Sequence, residues 1–302
     1  MTTTPSTEPT LELAWRKYRR WAATSRRQKN EFDLWQRRAI GLAIIGAVLE
    51  MISAQMPVWG LDSGYWPRTG QVIAFIGGMF LIVSVAIGRK KIGSVQQSTW
   101  IRARSLAESF KSAYFRYRAG IPLWNGEMSA SGLSGILKDL DESTDNLRPD
   151  DLEDSQELDG FDPSLLDVDD YVKLRVVEQI DRFYRPRAKF HRQEAQRLRK
   201  WEFALGIFAA LIGLLGGLGL AKYTTAWVAI ITNIAVAYAT RLAAGRHDFL
   251  AVSYGATADR LESLKVRLQE TRKAGQSKED QMRIIEDCEQ TISNENKAWG
   301  SK

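Results

Sequence analysis

Cysteine and histidine are nearly absent: the 302 residues hold one cysteine, Cys288, and two histidines, His191 and His247. A lone cysteine excludes an intrachain disulfide and a cysteine-based metal cluster, and it fits reducing surroundings for the part of the chain that carries it. Two histidines do not make a histidine-rich metal site, and no metal is expected. Catalytic signatures are missing too. There is no glycine-rich phosphate loop ending in Lys-Ser or Lys-Thr, no serine elbow and no His-x-x-x-His zinc pattern. Gly213, Gly216, Gly217 and Gly219 are grouped, but inside an apolar run rather than after a strand, so a dinucleotide fingerprint there would be spurious. The chain is expected not to be an enzyme and to use no cofactor. No signal peptide is visible. Residues 1–9 are polar and read as a disordered tail, and the first apolar run begins only near Ala39.

What the chain does have is charge-free apolar length. Phe203 to Ala221 and Tyr223 to Thr240 run 19 and 18 residues without a formal charge, separated by Lys222. At about 1.5 Å per residue, each can cross a hydrocarbon core about 30 Å thick. Neither carries the polar stripe of a buried helix in a soluble protein. They read as a membrane hairpin with its turn around Lys222 to Thr225. A second such pair precedes it. Leu11 to Arg38 is helical and basic, with Trp15, Tyr18, Trp21 and Ala22 at helical spacing and Thr10 as its cap. It runs unbroken into an apolar segment that ends near Pro57. After the turn LDSGYWPRTG, the apolar run Thr69 to Gly88 meets Arg89, Lys90 and Lys91, and a helix continues to about Arg118.

Basic flanks orient these spans. Arg37, Arg38, Arg89, Lys90 and Lys91 border the first hairpin on the side of the termini, and Arg197, Arg199, Lys200, Arg241 and Arg246 border the second. By the positive-inside rule both termini are cytoplasmic, in the plasma (inner) membrane. Trp59, Trp66, Tyr223 and Trp227 then fall at the outer face as interfacial anchors.

Charge is unevenly spread. Between Glu127 and Asp170 there are 15 acidic and 2 basic side chains, so a chain of net charge +6 carries +19 elsewhere. This suits basic helices beside anionic lipid. Arg19, Arg20, Arg26 and Arg27 with Trp15, Tyr18 and Trp21 could also make a nucleic-acid surface. The direct continuation into a membrane span favours packing, and no specific nucleic acid is expected as a partner. The acidic segment, 126–170, contains one plausible short helix, Leu133 to Asp141. Its two readings are a solvated tether and a strap that folds back on the basic helices.

Small residues recur every four positions in each span: Ala39, Ala43 and Ala47; Gly70, Ala74 and Gly78; Ala209, Gly213 and Gly217; and Ala229, Asn233 and Ala237. Such faces permit close helix packing, within one chain or between chains. Glu50 is the one acid inside a span. It lies twelve residues beyond Arg38, about 18 Å into the core. An ionised acid there should face protein or water, so Glu50 either fixes packing or lines a wet acidic ring. Asn233 is a weaker companion candidate for the pore lining.

The halves repeat each other. YRRWA at Tyr18 to Ala22 resembles YRPRA at Tyr184 to Ala188. AESFK at Ala107 to Lys111 matches LESLK at Leu261 to Lys265, with Trp100 and Tyr254 in the same register. This is a parallel duplication, which gives no support to inverted-repeat alternating access. The segment YVKLRVVEQIDRFYRPRAKFHRQEAQRLRKWEF, the hairpin and FLAVSYGATADRLESLKVRLQE resemble the SLATT family, the two-transmembrane effector domains associated with SMODS nucleotidyltransferases and SLOG sensors. Leu11 to Arg118 looks like a divergent second unit. The resemblance implies an oligomeric membrane effector of bacterial conflict or stress systems, of a kind thought to form pores on a nucleotide signal, with a separate sensor or synthase as a possible partner. It transfers no catalytic or ligand residue.

The expected fold is thus an all-α membrane protein: four transmembrane helices as two parallel hairpins with long cytoplasmic helical extensions. The expected organisation is a first SLATT-like unit at 10–125, the acidic linker at 126–170 and a second unit at 171–302. The expected function is a homo-oligomeric pore-forming or membrane-perturbing effector, with a lipid bilayer as its surroundings. The alternative is a non-conducting membrane-anchored scaffold whose cytoplasmic helices bind a partner protein.

Overall fold

The structure is a computed structural model that describes residues 8–59, 66–121, 129–144 and 147–300. The described residues form helices and connecting turns, with no strand among them. In chain order the helices are α1 (Glu8–Gln55), α2 (Trp66–Lys91), α3 (Ser94–Arg118), α4 (Ala130–Glu142), α5 (Asp154–Glu157), α6 (Val168–Tyr171), α7 (Arg185–Leu215), α8 (Ala221–Gly245), α9 (His247–Lys273) and α10 (Lys278–Gly300). α1 begins at Glu8, two residues before the expected cap. Pro9 sits in its first turn, where a missing N–H costs no helical bond. The helix expected to run from the second span to Arg118 is interrupted at Ile92–Gly93, between α2 and α3.

Contacts divide the chain into two compact units. A core unit comprises Met1–Asn30, Val95–Lys189 and Ala251–Lys302; a hairpin unit comprises Glu31–Ser94 and Phe190–Leu250.

In the core unit, α3 buries Trp100, Ala103, Ala107, Phe110, Tyr114 and Tyr117, and α9 buries Tyr254, Thr257, Leu261, Leu264, Leu268 and Thr271. Each set alternates steps of three and four, the spacing that keeps one helix face inward. The two sets coincide position by position, at the offset that aligns Trp100 with Tyr254. Each fully buried Tyr, Phe or Leu contributes about 1.5–3 kcal/mol of apolar burial.

Between α6 and α7 the chain makes two stretches of wide π-helical turns, Val172–Val177 and Gln179–Tyr184. Wide turns are uncommon and signal local constraint. Here they bury Tyr171, Arg175 and Gln179 in one row and Val172, Val176, Ile180 and Tyr184 in the next, each every four residues. Arg175 meets Glu289 of α10 through two bonds, Nε to Oε1 and Nη2 to Oε2, both 2.9 Å. Ser112 and Tyr171 also donate to the Glu289 carboxylate, at 2.8 and 3.0 Å. Burial opposes ionisation of Glu289, but Arg175 and these donors outweigh it and hold the carboxyl below its ordinary range. Burial pushes the Tyr171 hydroxyl well up, helped by the charge of Glu289.

The acidic segment is not a solvated tether over its described length: it lies along α1. Ser129 caps α4 by accepting from the Gly132 N–H at 3.1 Å, and α4 buries Leu133 and Leu137. The chain then runs antiparallel to α1. Asp150 pairs with Arg27 at 2.7 Å, Asp151 with Arg20 at 3.8 Å, and Asp159 with Arg19 at 3.1 Å. Glu157, fully buried, is held by Arg16 at 3.0 Å and by Arg20. Lys17 pairs with Asp141 of α4. Trp15 donates its indole N–H to the Asp159 carbonyl at 3.1 Å, and Gly160, at φ +75°, turns the strap over the same indole. At the far end of the strap, Arg118 pairs with Asp162 at 2.6 Å.

Candidate functional site: the apolar hairpins

Among the described residues three helical stretches are long and apolar enough to cross a membrane: Glu8–Gln55, Arg68–Arg118 and Val168–Ala239. Only 22%, 11% and 6% of their most apolar 18-residue windows are buried inside the protein, so their apolar surface needs a cover that the chain does not supply.

In the first hairpin, three pairs of small residues join α1 to α2. Ser84 donates its hydroxyl to the Ala39 carbonyl at 2.8 Å, and Ser53 donates to the Gly70 carbonyl at 2.8 Å. Midway, Gly46 and Gly77 touch backbone to backbone: a Cβ on Gly46 would lie 2.8 Å from the Gly77 oxygen, and one on Gly77 3.0 Å from the Gly46 oxygen. Ala39, Gly46 and Ser53 recur every seven residues, as do Gly70, Gly77 and Ser84. That period keeps one seam facing the partner helix.

Glu50 lies on this seam, half-buried. Its Cγ and Oε1 are 3.2 and 3.4 Å from where Cβ atoms on Gly77 and Gly78 would be, so the glycines make the space its side chain occupies. Gly70 is buried against Met56 and Ser53, Gly78 abuts the Glu50 carboxylate, and Ala74 is half-buried.

The third stretch is not one straight span. α7 and α8 are joined across Gly216–Leu220, where Leu218 and Gly219 leave helical geometry. Gly219, at φ +92°, adopts a backbone state open mainly to glycine. The two arms run antiparallel, because His191 meets His247 and Glu194 meets Arg241. The reversal therefore falls at Leu218–Gly219, whereas Lys222 to Thr225 lie in the first turns of α8. A charge marks a chain's polar position, but the reversal follows the residue that can take a left-handed φ. At the tip, a Cβ on Gly216 would lie 2.8 Å from Thr224 Oγ1. Ala209 is buried, while Gly213 and Gly217 are exposed and a Cβ added at either would meet nothing within 4 Å. Asn233 is exposed.

Three of the four aromatic anchors, Trp59, Tyr223 and Trp227, are about two-fifths exposed at 41%, 39% and 41%. The side chain of Trp66 lies outside the described residues, as do Asp62 and Ser63 of the first turn.

The hairpin bases differ in charge pairing. At the second, Glu194 takes Arg197 at 2.7 Å and Arg241 at 3.7 Å, and Asp248 takes Arg199 at 2.6 Å. His191 and His247 face each other at 2.8 Å between Nδ1 atoms beside the α8–α9 joint, where Arg246 takes φ +46°. Neither histidine stood out as a site in the sequence, since 56 residues separate them. Among the described residues no group of three or more His, Cys, Asp or Glu could hold a metal ion. At the first base, Arg38 and Lys91 lie over the ring of Trp35, with the Arg38 guanidinium 4.9 Å and the Lys91 ammonium 5.7 Å from its centre.

Residues 171–299 match the family model described as SMODS and SLOG-associating 2TM effector domain 1. This part of the chain is a SLATT domain. It takes in the π-helical turns, the α7–α8 hairpin and helices α9 and α10. Residues 17–125 match a different family, described as a protein of unknown function (DUF4231). The expectation of a second SLATT copy there is corrected to that extent: the first half follows a similar plan under a separate family model. No curated protein and no solved structure matched the chain. The SLATT description of a 2TM effector domain and the uncovered apolar helices together make this a membrane protein, consistent with a membrane effector.

Proposed function

We propose that the chain is a homo-oligomeric membrane effector whose two hairpins cross the bilayer four times and open a conducting path, in a bacterial conflict or stress response. The uncovered apolar surface of both hairpins carries this reading, since lipid and further copies of the chain are the covers such surface takes. The basic bases support an orientation with the termini and the acidic strap on the cytoplasmic side of the inner membrane. Glu50, seated in the notch at Gly77 and Gly78, is the acid nearest the middle of a span and the leading candidate for a wet, cation-favouring lining. The signal comes from a separate nucleotide synthase or sensor, a role that the SLATT description's association with SMODS and SLOG supports.

The test is ionic conductance of the purified full chain in planar bilayers, with its oligomeric size measured in the same detergent. Stepwise currents from an oligomer support the effector. A monodisperse protein that inserts and never conducts, with or without a partner signal, points instead to a membrane-anchored scaffold.

A further inference from the structure

The base of the first hairpin holds a charge arrangement that the second base does not. Trp35 of α1 is half-buried, and two cations from different helices lie over its ring: Arg38, one turn further along α1, and Lys91, the last residue of α2. Both are exposed, as are Arg37 and Arg89. Among the described residues no carboxylate pairs with any of these four. At the second base, Glu194 and Asp248 neutralise Arg197, Arg241 and Arg199.

Two unneutralised cations fixed about one indole form an anion site. The guanidinium offers a planar fork of donors and the ammonium a mobile point charge, a pair that suits the two free oxygens of a phosphodiester. The ring holds both cations by attraction to its face without using their outward N–H groups. Depth identifies the ligand. Ala39, the next residue after Arg38, opens the apolar run, and Gly88 closes the other only three residues before Lys91. An anion here sits at the level where headgroups meet acyl chains, which is also where an indole is most at home.

We propose that Arg38, Lys91 and Trp35 bind the phosphodiester headgroup of an anionic phospholipid. The proposal rests on the reading of α1 and α2 as a membrane hairpin. It makes the first hairpin the lipid-sensing one and leaves the second, where Arg197, Arg199 and Arg241 are internally paired, less responsive to headgroup charge.

The experiment is native mass spectrometry of the full chain released from nanodiscs holding equal amounts of phosphatidylglycerol and phosphatidylcholine with matched acyl chains. Retained lipid is counted for variants with unchanged helical content and elution volume. The wild type retains phosphatidylglycerol in preference. Arg38→Gln or Lys91→Gln lowers that preference about five-fold, and the double variant about 25-fold. Arg38→Lys keeps most of it, so the result does not depend on the most severe variant folding. Arg199→Gln, whose cation is already paired, leaves it unchanged. Equal retention of the two lipids by the wild type would overturn the site while leaving the hairpin reading intact. Retention of neither would overturn both. A preference that survives the double variant, or falls as far in Arg199→Gln, would also overturn it. So would displacement of the lipid by soluble glycerol phosphate at matched ionic strength, which would assign the site to a free phosphate.

Discussion

Gly46 and Gly77 meet backbone to backbone at the centre of the first hairpin, so close that a Cβ on either would lie within 3.0 Å of the other's carbonyl oxygen. The hairpin can be this tight only because the seam carries small residues every seven positions. Gly46→Leu or Gly77→Leu should overpack the crossing by about 1–3 kcal/mol and lower the apparent unfolding midpoint in detergent. Gly213→Leu makes a contrasting probe. A Cβ there would meet nothing within 4 Å, and Gly213 is exposed, so the midpoint should hold. A fall in oligomer size for Gly213→Leu alone would locate a contact between copies, and a fall in its single-chain stability would contradict the hairpin packing described here.

Arg175 and Glu289 should make the core unit acid-sensitive. The folded Glu289 carboxyl lies below its ordinary value of 4.5, so its contribution is complete above that pH and is lost as the pH falls through the lower folded value. Glu289→Gln should cost about 3–5 kcal/mol at neutral pH, because it leaves Arg175 buried without its hydrogen-bonded counter-charge, with only Glu108 at 3.8 Å remaining. It should also flatten the acid limb of a stability–pH curve. An acid limb identical to that of the wild type would show that other carboxylates set it.

The strap gives a sharper contrast between buried and exposed charge. Glu157 is fully buried under Arg16 and Arg20, whereas Asp151 is 98% exposed beside Arg20. Glu157→Gln should destabilise by about 1–3 kcal/mol and release residues 147–160 to faster amide exchange. Asp151→Asn should change little, as exposed pairs do. Equal exchange rates in both variants would mean that the strap is held by something other than Glu157.

Cys288 is fully buried, and burial together with the charges of Glu289 and Asp287 pushes its thiol up to about 12. It should stay unmodified by maleimide in the folded protein whichever side of the membrane it occupies. This gives a silent background for topology. Ser63→Cys should react with an impermeant reagent in intact cells, and labelling only after lysis would reverse the orientation assigned from the basic flanks.

The long elements were legible in the sequence because their signals are local. Unbroken apolar length marked the long apolar helices, and the matching segments AESFK and LESLK showed the register that α3 and α9 share at Trp100 and Tyr254. What was missed depends on partners far away in sequence or on backbone state. Steps of four selected Gly70, Ala74 and Gly78. On a helix of 3.6 residues per turn, Gly77 lies only about 20° from Gly70 while Gly78 lies about 80° away, so the closest contact moved to Gly77. The charge at Lys222 suggested the second turn, which Gly219 makes instead. Arg175 and Glu289 are 114 residues apart, and no pattern in either segment names the other. The acidic run looked like a solvated tether from composition alone. Composition carries no register, and it is register that sets Asp150 against Arg27 and Asp159 against Arg19.

The most direct measurement is the reversal potential of single-channel currents under a potassium chloride gradient, for the wild type and for Glu50→Gln. Glutamine keeps the size and much of the hydrogen bonding of Glu50 in the notch at Gly77 and Gly78 but removes its charge. The account predicts cation-preferring currents from the wild type and a reversal potential shifted toward zero in Glu50→Gln, with oligomer size unchanged. An absence of current from a correctly inserted wild type, or an identical reversal potential in the two proteins, would contradict it.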